Sequence, residues 1–362
     1  MWKNLFGFAR TLPSQRQRAP FRPAVEELET RQCPSATVGL VGNTLNITGD
    51  NSNDTVKVFL RDNVNDIQVM SNPIVLNLGM YSRTIWHVDH FNSAQVQNIN
   101  INLQGGDDNL TVEEGLDSDA SAVLFNPKNI SINLGDGANQ ALLLFGGLEV
   151  PNRVISTNLN INVIGGAGAD DVTAHFGRVQ SGAVNYSAFL GGGDDSGFAG
   201  VWGNIDTGAS LKIDLEGQDG NDNLYTFETY NGNYDQVNIA AGALLDINVN
   251  GGAGNDTMNM TYGGTVLGKL RIRQDGGSGN DSISGDLHLQ PGSTGAVDAV
   301  YSGDDGWDGL RMEVYGSASA QRALIDGGTG WDRATSVGDV QIINANEFPV
   351  VVAPTAGTLR QS

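Results

Sequence analysis

The sequence predicts an all-β fold, a single parallel β-helix (β-solenoid) of about ten or eleven coils of roughly 24–34 residues. Three observations predict this fold. A glycine-rich segment recurs in one frame, with its clearest copies at Gly165, Gly251, Gly276 and Gly327. From Gly105 onward the copies begin at near-regular intervals of one coil, a spacing typical of solenoids with one motif per turn. A strand pattern precedes and follows the copies.

The strands are recognised by strict alternation of apolar and polar residues. Residues 245–250 alternate before Gly251, and residues 211–216 alternate before Gly217. Alternation with a period of two predicts strands with one buried face. A second strand resumes after each turn with an apolar residue, at Val56, Leu110, Val172, Leu224, Met258 and Ile283. Strand, turn, strand and return make one coil, whereas a β-sandwich would not repeat one glycine turn in a constant frame.

The turns themselves have a physical reason for their composition. Looser copies begin at Gly49, Gly105, Gly135, Gly191, Gly217 and Gly303. Consecutive glycines permit positive φ and a close approach of neighbouring coils. Asparagine recurs at the fifth position, where we expect it to tolerate a left-handed backbone, at Asn53, Asn221, Asn255 and Asn280. The interval between Gly49 and Gly105 is long enough for two coils and predicts one degenerate coil around positions 74–88, without the glycine turn.

Composition limits the classes of function. The net charge of −21 argues against nucleic acid as a partner, because phosphates would be repelled, and it suits cations. A single cysteine, Cys33, excludes a disulfide scaffold and a cysteine-based zinc site. No segment approaches the roughly 18 apolar residues of a membrane helix, so we expect no membrane span.

The N-terminal segment differs from the rest in charge. Residues 1–36 contain six basic and three acidic side chains, which leaves the remainder with 14 basic and 38 acidic residues, a charge of −24. Residues 25–35 resemble the L-E-x-R-x-x-P-S (LEPR-type) segment that precedes large exported surface proteins in some bacteria. The resemblance implies an export segment at 1–36 and an extracellular or cell-surface location. The repeats predict the solenoid at 37–345, followed by a C-terminal tail at 346–362. A disordered basic tail is the alternative.

The frame G-G-x-G-x-D-x-U resembles the hemolysin-type (RTX-like) calcium-binding nonapeptide. In that family, turn carbonyls and the sixth-position aspartates of stacked turns share Ca²⁺, and calcium prefers six to eight oxygen ligands. The resemblance implies Ca²⁺ as the cofactor. It makes metal-ligand candidates of Asp222, Asp256, Asp281, Asp308, Asp332, Asp170, Asp108 and Asp54.

The chain departs from the family in ways that bear on calcium. The family repeats its motif in tandem, whereas here one copy occurs per longer coil, so only one edge could hold ions. Gln140 stands where the Gly135 copy should have aspartate, and the copies at Gly105 and Gly191 are short, so we expect interruptions there. The alternative is a set of corners held by Asp and Asn side chains alone. Stacked carboxylates about 5 Å apart favour a cation, since they repel by roughly 3 kcal/mol per pair at an effective dielectric near 20.

Stacking also predicts a column of alternating charge on the outer face. The residue five positions before each motif glycine points outward on its strand. From the copy at Gly217 to the copy at Gly327 these residues are Lys212, Asp246, Arg271, Asp298 and Arg322. Opposite charges on neighbouring strands stabilise a sheet, so this column supports the predicted register.

The predicted function is an exported, calcium-binding structural or surface module with an acidic face. Its expected partners are calcium ions and surface polysaccharide or other surface proteins. The alternative is a carbohydrate-active β-helix, either a polysaccharide lyase or hydrolase or a glycan-binding module. Catalysis is the weaker expectation, because the sequence contains no recognisable catalytic motif and its many acids single out no pair. We expect Trp307 and Trp331, at the fifth position of their turns, to cover the C-terminal end of the calcium ladder.

Two further clusters contain residue types that occur at functional sites. Lys269, Arg271 and Arg273 share one outward face, which indicates a solvated strand. His87 and Asp89 should share a face that His90 does not, which argues against a metal site there.

Overall fold

The computed structural model describes residues 36–61, 65–78, 81–114, 128–146, 154–226 and 236–347. The predicted export segment lies outside the described residues except for Ala36, and the predicted tail lies outside them except for Asn346 and Glu347.

Two long sheets face each other. The strands of the first sheet are β1 (Thr37–Val41), β2 (Thr44–Thr48), β6 (Asn98–Asn102), β8 (Asn129–Asn133), β11 (Leu159–Ala167), β14 (Ala183–Gly192), β16 (Ser210–Asp219), β18 (Leu244–Ala253), β20 (Lys269–Gly279), β22 (Ala296–Ser302), β23 (Asp305–Gly306), β25 (Ala320–Asp326), β26 (Thr329–Gly330) and β28 (Gln341–Ile343).

The strands of the second sheet are β3 (Thr55–Arg61), β4 (Asp66–Leu78), β5 (Tyr81–Asn92), β7 (Asn109–Glu114), β9 (Gln140–Phe145), β12 (Asp171–Phe176), β15 (Ser196–Val201), β17 (Asn223–Thr226), β19 (Thr257–Gly264), β21 (Ser282–Leu289), β24 (Gly309–Tyr315), β27 (Arg333–Val337) and β29 (Asn346–Glu347). A third, narrow side contains β10 (Val154–Ile155) and β13 (Arg178–Val179). A short 3-10 helix spans Ser93–Gln95.

Sequence neighbours alternate between the two sheets, so each coil contributes one strand to each. Within a sheet, a strand pairs in parallel with its counterpart one coil away, as β16 does with β18 and β18 with β20. The all-β parallel solenoid is therefore confirmed. Its coil count differs slightly from the ten or eleven predicted. One predicted coil is replaced by the antiparallel hairpin described below.

The core is a narrow column between the sheets. Alternate residues of each strand point inward and are buried, as Leu211, Ile213 and Leu215 are in β16. On the third side, Ile205 and Ile239 are fully buried and stack by single parallel bridges from coil to coil. The period-two pattern of the sequence therefore corresponds to the buried face of each strand.

The predicted degenerate coil around positions 74–88 is wrong. Residues 74–78 belong to β4 and residues 81–88 to β5, which pair antiparallel with each other, and β4 also pairs with β3 at the N-terminal end of the second sheet. β1 is likewise antiparallel to β2 in the first sheet. Antiparallel strands at this end of both sheets occupy the backbone groups that the first coil would otherwise leave unpaired.

The alternating charge column is confirmed. Lys212, Asp246, Arg271, Asp298 and Arg322 occupy equivalent positions on five successive strands. Two ion pairs lie in the column: Arg271 Nη1 is 2.9 Å from Asp246 Oδ2, and Arg322 Nη1 is 3.3 Å from Asp298 Oδ1.

Candidate metal site at the glycine turns

The glycine turns join the first sheet to the second and stack along one edge of the solenoid. Steric contact with the neighbouring coil allows only glycine at the fourth position of the motif. Gly254 and Gly279 have φ of 143° and 144°, and a Cβ at either would lie 1.6 Å or 1.5 Å from the carbonyl oxygen of the preceding coil. The backbones of neighbouring turns therefore touch, and only a residue without a side chain fits between them.

The turns at Gly105 and Gly191 are not shortened, contrary to the sequence-based expectation. Gly191 lies in register with Gly166, the second residue of its turn, so the first position is taken by Leu190. A leucine in place of the first glycine hid the frame in the sequence. Both turns contain a sixth-position residue, Asp108 in one and Asp195 in the other.

The sixth positions form an unbroken ladder. In each step, the side-chain Oδ1 of one coil accepts the backbone N–H of the sixth-position residue in the preceding coil, at 2.7–3.0 Å. In chain order the ladder is Asp54, Asp108, Asn139, Asp170, Asp195, Asp222, Asp256, Asp281, Asp308 and Asp332. All eight aspartates predicted from the sequence belong to it.

Two members of this aspartate ladder were missed. Asn139, not Gln140, takes the sixth position of its turn, and Gln140 instead opens strand β9 opposite Asp171. Asp195 is the sixth residue of the turn at Gly191. The hydrogen-bonded ladder therefore continues through both turns. Because Asn139 contributes an amide in place of a carboxylate, an interruption of calcium binding at this turn stays a prediction.

The ladder is buried and leaves one oxygen of most carboxylates unbonded. Its aspartates are only 1–3% exposed. Oδ1 is occupied by the N–H of the neighbouring coil, but Oδ2 is buried and accepts no hydrogen bond in Asp108, Asp170, Asp195, Asp222, Asp256, Asp281, Asp308 and Asp332. A buried polar atom without a partner costs free energy, so these oxygens require a positively charged or proton-bearing neighbour.

Asn139 shows which kind of neighbour the position prefers. Its Nδ2 takes the place of Oδ2 and donates to Gly135 O at 3.1 Å, Gly137 O at 3.2 Å and Asp170 Oδ1 at 2.9 Å. Three oxygen atoms thus surround the second side-chain atom of this ladder residue. A donor is satisfied in this position, whereas a carboxylate oxygen is not.

Most other turns share the backbone conformation of the Asn139 turn. The second position has positive φ at Gln104, Gly135, Gly191, Gln218, Gly252, Gly277, Asp304 and Gly328. Asp54 and Asp170 belong to turns without this feature. In the turn of Asp54, the N–H of Asp50 donates to Oδ2 at 2.9 Å. By equivalence with Asn139, we infer that Oδ2 faces turn carbonyls wherever the second position is left-handed.

The surroundings disfavour ionised aspartates. Burial, followed by neighbouring ladder charges, raises the pKa of Asp222 to about 7 and that of Asp281 to about 6. Burial also raises the pKa of Asp108, Asp170 and Asp308 to about 6. Ladder hydrogen bonds from the backbone act in the opposite direction but do not prevail. The ladder therefore competes for protons near neutral pH or requires a cation to remain charged.

Asparagines at the fifth position form a second, exposed ladder. The backbone N–H groups of Asn255 and Asn280 donate to the Oδ1 atoms of Asn221 and Asn255 at 2.9 Å. None of these asparagines has positive φ, so the expected left-handed backbone is wrong. Their role is to bond the neighbouring coil.

The tryptophans at the fifth position do not cover the ladder. Trp307 and Trp331 are 70% and 76% exposed, so the expectation that they close its C-terminal end is wrong. Trp307 N donates to Asn280 Oδ1 at 3.0 Å, which ends the exposed asparagine series.

The other clusters are accounted for by ion pairs. His87 Nε2 lies 3.3 Å from Asp89 Oδ2, while His90 Nδ1 lies 2.9 Å from Asp66 Oδ2. His90 pairs with Gln68 and Asp89 with buried Val69, which confirms that the two face opposite sides. Arg273 Nη2 lies 2.8 Å from Asp298 Oδ2.

A metal bound at the turns would need backbone ligands. No three His, Cys, Asp or Glu side chains within the described ranges group closely enough to hold a metal ion by themselves. The described part of the chain also contains no helix with the length and hydrophobicity to span a bilayer. Comparisons with models of protein families, with curated proteins and with solved structures found no match to this chain.

Proposed function

We propose that the protein is a structural β-solenoid of the cell exterior, stiffened by Ca²⁺ bound along its aspartate ladder. The observation that carries the proposal is the set of buried Oδ2 atoms without a hydrogen-bond donor. The amide of Asn139, held by three oxygens, supports it because the same position in the neighbouring turns contains an oxygen.

The residues fit the donor preferences of calcium. Ca²⁺ binds hard oxygens, including carboxylates and backbone carbonyls. The aspartate ladder supplies one Oδ2 per coil, and each turn adds carbonyls such as those that Asn139 uses. The strongest continuous run comprises Asp195, Asp222, Asp256, Asp281, Asp308 and Asp332. A cation there would neutralise buried charge and connect one coil to the next.

A structural role follows from the same arrangement. In a solenoid each coil contacts only its neighbours, so a ligand that bridges coils stabilises the stack in proportion to the number of bridges. The acidic surface, with a net charge of −21, attracts cations over the whole chain. The LEPR-type resemblance of residues 25–35 supports export, and calcium is plentiful outside cells.

Titration calorimetry and thermal unfolding test the proposal directly. The full chain should take up several Ca²⁺ ions at millimolar concentration, and its unfolding midpoint should rise with calcium and fall in chelator. Asp281→Ala should remove two sites, because its carboxylate lies between the turns of Asp256 and Asp308. No binding heat and a midpoint indifferent to calcium would refute the proposal in favour of corners held by hydrogen bonds alone.

Asn139→Asp supplies the matched reciprocal control. It adds a carboxylate to the ladder in a turn whose backbone already has the required conformation. We expect the variant to bind additional Ca²⁺ and to unfold more easily than the native chain in chelator at pH 8. Unchanged stoichiometry would show that turn carbonyls and carboxylates do not combine into a calcium site.

A further inference from the structure

The outer face of β24 presents a row of aromatic and charged side chains. Alternation along the strand places Arg311, Glu313 and Tyr315 on the solvent side, and Trp307 lies just before the strand. Trp307 is 70% exposed and Tyr315 41% exposed. At about 3.3 Å per residue, the row extends over roughly 26 Å.

Neighbouring coils widen the row at both ends. Trp331 occupies the position of Trp307 on the next coil, because Gly306 pairs with Gly330. At the other end, the ring of His288 stacks on Tyr315 with centroids 4.6 Å apart and planes at 15°. Each end of the row is thus an aromatic surface.

The centre of the row is a fixed ionic network. Arg311 lies between two carboxylates, with Nη1 3.2 Å from Asp286 Oδ1 and Nη2 2.6 Å from Glu313 Oε1. Tyr315 Oη donates to Glu313 Oε2 at 2.5 Å. Side chains restrained in this way present donors and acceptors in constant positions, which lowers the entropy cost of binding a polar ligand.

Between Trp307 and Arg311 the row has no side chain at Gly309, which lies between Ser282 and Arg333 of the neighbouring coils. Gly309 is exposed, and a Cβ there would have only Asp281 O within 4 Å, at 3.8 Å. The row therefore contains a flat strip that leaves room for a ligand lying against the strand.

We infer that this row binds a neutral polysaccharide, laid along β24 with sugar rings on the aromatic ends and hydroxyl groups on the central network. Tryptophan and tyrosine faces suit the C–H faces of pyranose rings, and paired carboxylates with a guanidinium suit hydroxyl groups. Exposed Asp304 and Asp305 and the overall charge of −21 disfavour an anionic polymer. This site goes beyond the proposed calcium role and does not depend on it.

A protein partner fits the surface less well. Three exposed aromatic side chains offer at most about 150–250 Å² each, whereas a stable protein interface needs about 800 Å² per partner. A single extended chain of sugars requires no more than a narrow strip of this length.

Titration calorimetry of the full chain in saturating calcium tests the inference. The probes are neutral hexasaccharides of β-1,4-glucan, β-1,3-glucan, mannan, xylan and galactan, with a hexauronate as the anionic comparison. At least one neutral probe should bind and the hexauronate should not. Trp307→Ala and Trp331→Ala should each weaken binding about tenfold. Gly309→Leu should abolish binding, because its side chain would fill the flat strip.

Trp86→Ala is the control, since Trp86 lies in β5 at the other end of the solenoid and should leave binding unchanged. All three substituted positions in the row are exposed, so the variants should unfold like the native chain. Failure of every neutral probe, stronger binding of the hexauronate, or unaltered affinity in the tryptophan variants would overturn the inference.

Discussion

Replacement of one ladder carboxylate by its amide separates the effect of buried charge from the effect of hydrogen bonding in the aspartate ladder. Asp281 Oδ1 accepts the N–H of Asp256 at 2.8 Å, and its Oδ2 is buried without a partner. Asp281→Asn keeps the acceptor and places a donor where Asn139 already has one. Asp281→Ala removes both atoms. The two variants therefore differ mainly in hydrogen bonding, while both remove the charge.

The magnitudes follow from burial and hydrogen bonding. Burial raises the pKa of Asp281 from 3.8 to about 6. At about 1.36 kcal/mol per unit, ionisation at pH 8 costs about 3 kcal/mol of native-state stability in the absence of calcium. Asp281→Asn should recover up to that amount. Asp281→Ala also removes the cost of ionising the buried carboxylate, but it leaves the N–H of Asp256 unpaired, which costs about 1–3 kcal/mol. The amide variant should thus be the more stable of the two by that difference.

Denaturant unfolding at pH 8 and pH 5, in chelator and in calcium, measures these differences. At pH 5 the native Asp281 retains its proton while the unfolded chain has lost it, so about half of the cost remains. The advantage of the amide over the native chain should therefore shrink by about half, and alanine should remain weaker than the amide. In calcium at pH 8 the native chain should gain stability and Asp281→Asn should gain less. Equal destabilisation by Asn and Ala at both pH values would refute the idea that a donor is favoured in this position.

Three more outcomes are expected. In chelator, the free energy of unfolding should fall as pH rises from about 4 to about 7. Raised pKa values, such as that of Asp222 at about 7, make the native state bind more protons than the unfolded chain. Denaturant titrations across this pH range measure the fall, and saturating calcium should flatten the profile. Gly279→Ala should lower the free energy of unfolding by about 3 kcal/mol or more, because its Cβ would lie 1.5 Å from a carbonyl oxygen. Gly192→Ala is the control: a Cβ there has no atom within 4 Å, so the free energy of unfolding should change by less than about 0.5 kcal/mol in the same assay. Asp246→Arg should cost about 1 kcal/mol or less by placing like charges in one column. The double exchange with Arg271→Asp restores the pair itself but puts like charges beside Lys212 and Asp298, so a double-mutant cycle should show a favourable coupling with only partial recovery of stability.

The sequence was sufficient for the repeat but not for its exact frame. Leu190 in place of the first glycine made the turn at Gly191 look short, although the structure gives it the same six positions. Asp195 was missed for that reason. Its position becomes evident only when the strands on either side are paired with those of the neighbouring coils.

The sequence-based prediction was also wrong at the N-terminal end of the second sheet, where the regular coils end. The sequence predicts a degenerate coil, without the glycine turn, around positions 74–88, but the strands there form an antiparallel hairpin instead. A local pattern indicates that a segment is a strand, but it does not indicate whether the next strand runs parallel or antiparallel. That choice depends on which backbone edge is available when the stack begins.

By itself, the sequence determined the parallel solenoid, its inward and outward faces, the charge column and eight members of the ladder. These features depend on periodicity, which local sterics and the burial of alternate residues impose on the chain. Only the tertiary structure decided that Asn139 and Asp195 complete the ladder, that Oδ2 lacks a donor, and that Trp307 and Trp331 face solvent. The reason is physical: these properties belong to contacts between groups a full coil apart in the chain, and burial and hydrogen bonding across that separation exist only once the coils have stacked.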